Sequence, residues 1–397
     1  ILDEIIVESL ANNKTLAMAK ARVEEAMSTQ KFARASQFPQ IDAVAKPKRG
    51  NEGIGTSDKP RSIIDANIQA TWEIDIFGRN LSRFQQAQEM LQYADASQQA
   101  VLVGLLAQVG RTYFDLRNYQ EQIDITQKNL ENQKKTLELI KAQQKGAMTS
   151  DFDVQRAGAQ VSTTESKLPQ LRNAYEITLN RLNVLLGSVP GKRDDLMQVQ
   201  ETLKPLDQRI IVAAPAIVLA NRPDVRAAER NLAISMSAKE TAKKAIFPEI
   251  NLLTFFGIQD SKVLSTYPWS VGLTVVQPVL DFGRIQSQIK IADAQQRQAF
   301  LNYQQTVLEA LENMENALSS YKNEVVRNGS LRSSVEQNRK AAQLAKQQFE
   351  GGLIGLLDVL VAERNVLEAE SALADSDASL RKDLVGIYTA SGGGWDV

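Results

Sequence analysis

Two stretches of the sequence, TWEIDIFGRN (residues 71–80) and PVLDFGRIQS (residues 278–287), each place Phe-Gly-Arg between an alternating segment and a long proline-free one. Before the first motif, apolar residues occupy every even position from Ile64 to Ile74, and polar residues every odd position from Asp65 to Asp75. Such alternation predicts a β-strand with one apolar and one polar face. The two stretches therefore indicate a strand-to-helix transition that the chain makes twice.

The two Phe-Gly-Arg motifs belong to a longer internal repeat. LANN at 10–13 recurs as LANR at 219–222, and FPQI at 38–41 recurs as FPEI at 247–250, both 209 residues later. The Phe-Gly-Arg motifs are 205 residues apart, so the first half carries four extra residues between its Phe-Pro and Phe-Gly-Arg motifs. Because an internal repeat determines the architecture, we predict two structural repeats at 1–190 and 210–397, joined by a linker at 191–209.

Each repeat is predicted to contain a helix, two strands, a long helix, a glycine-bearing turn and a returning helix. No proline occurs between Pro60 and Pro169 or after Pro278, and a helix of about 65 residues would be about 100 Å long. The predicted bounds in the first repeat are strands at about 39–50 and 62–76 and helices at about 79–145 and 150–187. In the second repeat they are strands at about 248–258 and 268–281 and helices at about 284–350 and 355–390.

Apolar residues recur every seven positions along the long segments, which is typical of a left-handed coiled coil. Positions flanking the first apolar stripe are polar, so the contact with neighbouring helices is narrow. This pattern favours a wall one helix thick, although an exposed scaffold coiled coil is an open alternative. The stripes are Leu102, Val109, Leu116, Ile123, Leu130 and Leu137, and then Val307, Met314, Tyr321, Val335 and Ala342; the polar flanks are Gln120, Thr126, Gln127, Gln133 and Lys134.

The alternating strands have two interpretations. A length of about twelve residues fits a tilted membrane-spanning strand, and a half-buried strand of a soluble sheet also alternates. About four strands per chain cannot close a barrel in lipid, because open edges would leave backbone groups unpaired. A membrane location therefore requires several copies: two would supply about eight strands and three about twelve, and the wider barrel leaves an open pore.

Composition excludes several classes of function. The chain has no histidine and no cysteine, which removes disulfides, thiolate chemistry and His-dependent catalysis or metal binding. Basic and acidic residues nearly cancel, at 46 and 47, so no global field attracts nucleic acid. We predict a protein that is not an enzyme, has no catalytic residues, metal site or cofactor, and binds no nucleic acid.

The ordered motifs resemble those of the TolC-like outer-membrane factors, which are outer membrane efflux proteins. The similarity covers essentially the whole chain and is nearest to the branch that partners resistance-nodulation-division pumps. It rests on LANN (10–13), LANRP (219–223), both Phe-Pro motifs, WEIDIFGR (72–79), LPQLR (168–172), LLGSVPG (185–191), PVLDFGR (278–284) and GGGW (392–395).

The resemblance implies a homotrimer that is mainly α-helical. Its long helices would form a coiled-coil-like α-barrel in the periplasm, and four strands per chain would contribute to a transmembrane 12-stranded β-barrel in the outer membrane of a Gram-negative bacterium. Residues 191–209 would lie in an equatorial collar. Members of this branch are often lipoproteins, and any lipid-bearing cysteine would lie outside residues 1–397.

The family resemblance also implies a function and partners. The protein would be the exit duct of a tripartite efflux system, passively conducting drugs or other small amphiphiles, with a periplasmic membrane-fusion adaptor and an inner-membrane pump as partners. A type I protein-secretion duct is the alternative within transport. A non-transporting coiled-coil scaffold or adhesin is the alternative of a different class.

The glycine-bearing turns are predicted to form the periplasmic tip that contacts the adaptor. A plain helix-hairpin turn would need the same glycines, so both interpretations stand. Apolar residues at an exposed tip favour contact with a partner. The predicted tip residues are Gly146, Ala147, Met148, Thr149 and Ser150 in the first turn, and Gly352, Leu353, Ile354 and Gly355 in the second.

Asp153 and Asp358 occupy matching positions just after these turns. Ser150 and Asp153 form the Ser-x-x-acid pattern that caps a helix N-terminus, which is one explanation of the carboxylate. The family resemblance implies another, a periplasmic gate in which six carboxylates of a trimer surround the narrow end. The tyrosine and arginine that accompany the family's gate are replaced by Phe349 and Ile354, which argues against a salt-bridged latch.

The Phe-Gly-Arg motifs are predicted to mark the strand-to-helix junctions. Gly78 and Gly283 would allow the sharp change of backbone direction, and Arg79 and Arg284 would hold charge near the membrane interface. A trimer would contain six such junctions around its pore.

Overall fold

A computed structural model describes residues 1–50, 61–146, 149–193, 195, 220–261 and 265–393. The fold is mainly helical with a small β part, which confirms the predicted fold class. No helix in these ranges is both long enough and apolar enough to cross a membrane. The helices are α1 (Leu2–Asn12), α2 (Lys14–Ala35), α3 (Arg79–Lys145), α4 (Asp151–Leu185), α5 (Pro223–Lys244), α6 (Arg284–Glu350) and α7 (Leu356–Ala390); the strands are β1 (Gln40–Gly50), β2 (Arg61–Glu73), β3 (Glu249–Ser261), β4 (Ser265–Thr266) and β5 (Trp269–Val276).

The chain divides into two compact units, and each takes segments from both predicted repeats. One unit contains Ile1–Met18, Gln99–Arg222 and Leu308–Val397, and the other contains Ala19–Gln98 and Pro223–Val307. We call the first the helical unit and the second the sheet unit. The predicted linker at 191–209 lies outside the described residues except for 191–193 and 195.

The sheet unit contains one antiparallel sheet in which β1 pairs with β2, β2 with β3, and β3 with both β4 and β5. Since β4 has only two residues, four strands carry the sheet. The predicted strand at 62–76 ends earlier, at Glu73, and the predicted strand at 268–281 ends at Val276. The second difference has a local cause, because Pro278 has no N–H to donate to a ladder.

The strand register gathers apolar side chains on one face of the sheet. Ile68 of β2 is opposite Ala43 of β1 and Phe256 of β3, and Phe256 is opposite Trp269 of β5. Within a single chain this apolar face is largely solvent-exposed, so the sheet has no core on that side. Its large exposed members are Ile41, Ile64, Ile68, Phe256, Ile258, Trp269, Val271, Leu273 and Val275.

The two strand pairs of the sheet have equivalent registers. Gln40 is opposite Thr71 in the first pair, and Glu249 is opposite Val276 in the second. Residue 249 is 209 after 40, and 276 is 205 after 71, the same offsets that relate the sequence motifs. This agreement supports the predicted duplication.

In the helical unit, α3 packs against α4 and α6 packs against α7 through apolar side chains. Val109 and Leu116 of the predicted stripe are fully buried in a cluster with Leu182 of α4, and Leu130 packs against Val161 and Leu168 further along. Met314 and Tyr321 of the second stripe contact Ala390 and Leu380 of α7. Both stripes therefore bury apolar residues within a helical hairpin, as in a coiled coil.

The two helical hairpins meet along polar side chains of α3 and α7. Asn118 donates to Asp375 (2.7 Å), Gln122 to the Ser371 carbonyl (2.9 Å) and Asn129 to Glu370 (3.0 Å). Thr136 donates to Glu363 at 2.8 Å. We call these eight residues the polar seam. Gln122, Asn129 and Thr136 are buried, so each needs the partner that it has.

Candidate functional site

The first candidate site is the end of the helical unit where both hairpins turn. One apolar cluster there joins all four long helices, because Ile140 of α3 packs with Ala157 of α4 and with Leu356 and Leu360 of α7, while Phe349 of α6 packs at its edge. Ile140 is fully buried. The two turns are therefore held together by a shared core, which we call the tip cluster.

The first turn ends in a complete capping box. Ser150 is the N-cap of α4, and its Oγ accepts from the Asp153 N–H at 3.3 Å. The Asp153 carboxylate accepts from the Ser150 hydroxyl at 2.7 Å, the Ser150 N–H at 3.3 Å and the Thr149 hydroxyl at 3.0 Å. These hydrogen bonds, with that of the Ser150 hydroxyl foremost, lower the pKa of Asp153.

The second turn is built from glycines and has no side-chain cap. Leu353 N–H donates to the Gln348 carbonyl at 2.8 Å and Gly352 N–H to the Phe349 carbonyl at 2.9 Å, the paired bonds of a Schellman motif. Gly352, at φ 72°, occupies the left-handed position that the motif requires. Gly355 is the N-cap of α7 and has no side chain with which to bind the next turn.

The matching aspartates consequently have different surroundings. Asp358 is exposed, and in the described part of the chain its carboxylate forms neither a hydrogen bond nor an ion pair. Asp153 is half-buried and engaged in the capping box. No hydrogen bond joins the two side chains within one chain. The structure thus places both at the same end of the helical unit but leaves only one carboxylate free.

Most of the predicted tip residues that the structure describes are exposed to solvent. Gly146, Ser150, Gly352, Leu353 and Gly355 are exposed, whereas Thr149 and Ile354 are half-buried. Leu353 is 78% exposed, the largest apolar exposure in either described turn. Ala147 and Met148 lie outside the described residues.

The first strand–helix junction is tied to neighbouring segments by charged side chains. Arg79, at the start of α3, forms ion pairs with Glu73 of β2 (2.8 Å) and Glu249 of β3. Lys244 donates to the Gly78 carbonyl at 2.9 Å and to Ser82 Oγ at 2.6 Å. Gly78 has φ 73°, which only glycine adopts readily, as the turn was predicted to require.

The second junction is held by one local side chain. Asp281 accepts from the Gly283 N–H at 3.0 Å and the Ile285 N–H at 2.8 Å, which caps the start of α6. Gly283 has φ 86°. The Arg284 side chain is exposed and makes no hydrogen bond or ion pair with any described residue. The two arginines predicted to be equivalent therefore have different contacts.

The polar seam is a structural element that the sequence interpretation did not identify. None of its residues is among the polar flank residues named from the sequence. Glu363 shows the consequence of their burial: its pKa is raised, chiefly by desolvation, and its second oxygen has no partner in the described part of the chain. The spacing of Gln122, Asn129 and Thr136, every seven residues, was the available signal.

The described ranges contain no cluster of three or more Asp or Glu side chains arranged to hold a metal ion. The candidate sites instead consist of helix termini, an exposed apolar sheet face and an exposed tip. Such features serve contacts with lipid or protein partners.

The chain matches the family model described as outer membrane efflux protein over residues 5–188 and 214–393. Nodulation protein T of Rhizobium leguminosarum bv. viciae is 27% identical over 99% of this chain and 82% of its own length. The pyoverdine export outer membrane protein OpmQ of Pseudomonas putida is 28% identical over 99% of this chain and 86% of its own.

Among solved structures, the outer-membrane channel OprN is 31% identical, with a TM-score of 0.88 over 99% of this chain and 90% of that one. The two matched ranges of the family model, 5–188 and 214–393, lie within the two halves of the chain that carry the repeated motifs. The predicted family, transport function and outer-membrane location, with extension into the periplasm of a Gram-negative bacterium, are confirmed. The chain belongs to the outer membrane efflux protein family.

Proposed function

We propose that this protein is the homotrimeric exit duct of a tripartite efflux system and passively conducts drugs or other small amphiphiles. Three copies would close a 12-stranded β-barrel in the outer membrane, and their long helices would form the periplasmic α-barrel. A periplasmic membrane-fusion adaptor would bind the tip, and an inner-membrane pump would supply the energy.

The observation that supports a trimer most directly is the sheet with two free edges. β1 and β5 are the outer members of the path β1–β2–β3–β5, so each has one side without a partner strand among the described residues. The apolar face carried by these strands is exposed. In lipid, unpaired backbone groups cost several kcal/mol each, so the free edges must pair with other copies.

The exposed tip supports an adaptor as partner. Leu353 protrudes from a turn whose backbone is fixed by the Schellman motif, while the tip cluster beneath is fully packed. An exposed apolar side chain on a rigid support is suited to insertion into a partner's apolar groove. The predicted tip residues Gly146, Ala147, Met148, Thr149, Ser150, Gly352, Ile354 and Gly355 would surround it.

The gate proposal now rests mainly on Asp358. Three copies would bring three free carboxylates and three capped ones to the narrow end of the duct. Like charges gathered there repel one another and attract cations. The ring would therefore favour the passage of cations over anions, and multivalent cations would bind it and block the duct. Asp153 would contribute charge to the ring while serving the helix cap.

Small molecules are proposed as cargo in preference to proteins. OpmQ is named for the export of pyoverdine, a small molecule, and it aligns with nearly all of this chain. A type I protein-secretion duct would have the same tunnel, so cargo must be tested directly.

The trimer is tested by its mass in detergent. Membranes extracted with detergent should yield a particle of three chains of 43.9 kDa each, and that particle should open channels in planar bilayers. A water-soluble dimer without channel activity would support the coiled-coil scaffold instead.

The adaptor is tested by photo-crosslinking in cells. A photoreactive amino acid at Leu353 should capture a periplasmic protein that is identified by mass spectrometry. The matched control is Val326, an equally apolar and 68% exposed residue in the middle of α6. Capture at both sites with equal yield would argue against a specific tip contact.

A further inference from the structure

The two strand–helix junctions are equivalent in the repeat but are packed differently within one chain. At the first, the ring of Phe77 stacks on Phe247 with centroids 4.7 Å apart and planes 7° from parallel. Phe77 belongs to the first half of the chain and Phe247 to the second. This stack therefore joins the end of the first half's sheet segment to the beginning of the second's.

The repeat assigns each ring an aromatic counterpart. Phe282 is 205 residues after Phe77, and Phe38 is 209 residues before Phe247. Both counterparts are exposed, Phe282 by 91% and Phe38 by 62%, and neither stacks on another ring among the described residues. The stack of Phe77 on Phe247 is thus formed within the chain. The equivalent stack of Phe282 on Phe38 is not formed within the chain.

Contacts inside each half show that the same offsets hold at these junctions. Trp72 Nε1 donates to the Gln37 carbonyl at 3.0 Å, and Gln277 Nε2 donates to the Ile246 carbonyl at 3.0 Å. Residue 277 is 205 after 72, and 246 is 209 after 37. The end of each second strand is therefore bonded in the same way to the backbone just before its own Phe-Pro motif, at Phe38 and at Phe247.

The backbone of Phe282 lies in a local β-turn, in which the Arg284 N–H donates to the Asp281 carbonyl at 3.1 Å. Phe282 has φ 52° and is the one non-glycine residue with positive φ among those described. Positive φ at both central residues, Phe282 and Gly283, is typical of a type I′ turn. This turn leaves the Phe282 ring and the neighbouring Val279 and Leu280 exposed, where another copy can contact them.

We propose that Phe282 of one copy stacks on Phe38 of the adjacent copy, repeating between copies the contact that Phe77 and Phe247 make within one. The proposal rests on the proposed homotrimer, in which three such stacks would close the ring of junctions. The repeat keeps both aromatic residues of the stack but not the two carboxylates that bind Arg79. Gln40 occupies the position equivalent to Glu249, and Pro278 occupies that equivalent to Glu73. Arg284 would then face the Gln40 amide.

Thiol cross-linking tests the stack, because the natural chain contains no cysteine. The double variant F38C/F282C, treated with a short bis-maleimide in membranes, should give covalent dimers and trimers on a denaturing gel. The matched control, F77C/F247C, should react within one chain and remain a monomer. Coexpressed single variants F38C and F282C should give dimers and no covalent trimer.

The results separate the stack from the trimer itself. If detergent-extracted protein has the mass of a trimer and F77C/F247C reacts, but F38C/F282C stays monomeric, the stack is overturned and the duct stands. If the natural chain is monomeric in detergent, the proposed trimer fails and the stack fails with it.

A second measurement uses variants that form no covalent bond. F38A and F282A should each lower the temperature at which the trimer dissociates in dodecyl sulfate, and the double variant should lower it no further, because the two rings act as a pair. F282Y should retain the dissociation temperature of the natural chain. Fully additive losses from F38A and F282A would contradict direct contact.

Discussion

The two hairpin turns reverse helices of equal lengths yet differ in chemistry. α3 and α6 each have 67 residues, and α4 and α7 each have 35. In the first turn, Ser150 binds Asp153 in a capping box, whereas in the second Gly355 leaves Asp358 unbound. One side chain, serine or glycine at the N-cap, therefore decides whether the carboxylate three residues later binds the helix terminus or remains unbound.

The largest expected effect comes from the core that the two turns share. Ile140→Ala should lower the free energy of unfolding by about 2–5 kcal/mol, because Ile140 is fully buried against three other helices. Thermal unfolding of the purified protein in detergent measures this loss. The control is Leu344→Ala in α6, where the side chain is largely exposed and little should change. Equal losses would show that the turns are not joined through this cluster.

Asp358→Ala should produce the largest functional change of the two aspartate variants. In the proposed trimer, removing three free carboxylates would lower the negative potential at the narrow end, so conductance in planar bilayers should rise and block by multivalent cations should weaken several-fold. Asp153→Ala should weaken block less. If Asp358→Ala changes neither conductance nor block, Asp358 is not part of a gate. If Asp153→Ala has the larger effect, the capped carboxylate contributes more to the gate than the unbound one.

Ser150→Ala should destabilise the first turn by about 1 kcal/mol, the usual value of an N-cap. Amide hydrogen exchange at the start of α4 measures it, with the start of α7 as internal control. The pKa of Asp153 is lowered in the folded chain. Its carboxylate therefore stabilises the fold fully above the pKa it has in the unfolded chain, and this stabilisation is lost as the pH falls through its pKa in the folded chain. The difference from the natural chain should therefore shrink below about pH 4. If the stability difference between Ser150→Ala and the natural chain does not change with pH, the Asp153 carboxylate does not contribute to the cap.

The smallest expected effect is a gain. Gly355→Ser should stabilise the start of α7 by a few tenths of a kcal/mol, because Gly355 has the extended backbone of an N-cap and its added Cβ would lie 3.9 Å from Asp358 Oδ2. Hydrogen exchange should slow at Asp358 and Val359. Block by multivalent cations should move towards that of a duct with two capped rings. Unchanged exchange would mean that the serine does not bind Asp358.

Most of the fold could be predicted because periodic patterns were long and duplicated. The alternation before Phe77 and the seven-residue stripe through Leu116 each predict one element type. Strand ends could not be predicted closely, since β5 ends at Val276, where a nearby proline interrupts the ladder. The polar seam was missed because a buried Gln122 and a solvated glutamine look alike in sequence. Only the partner helix, more than 200 residues away, distinguishes them.

At the candidate site, the local helix cap could be predicted from the sequence, whereas the long-range contacts could not. The Ser-x-x-Asp pattern identified the cap of Asp153, because capping is local and depends on residues three apart. The contacts of Arg79 could not be predicted, since Glu249 is distant in sequence and reaches it through the pairing of β2 with β3. Arg284 has no ion pair among the described residues because Gln40 and Pro278 occupy the positions equivalent to Glu249 and Glu73.

The polar seam has a consequence for the order in which the molecule assembles. Its four hydrogen bonds join residues 227 to 257 positions apart, whereas each helical hairpin is closed by a short turn. Contacts between residues close in sequence form first, because closing a long loop costs entropy before any contact is gained. The hairpins should therefore form early and dock late. Because the docking surface offers hydrogen bonds at fixed positions, a hairpin docked one helical turn out of place would leave buried amides unpaired and separate again.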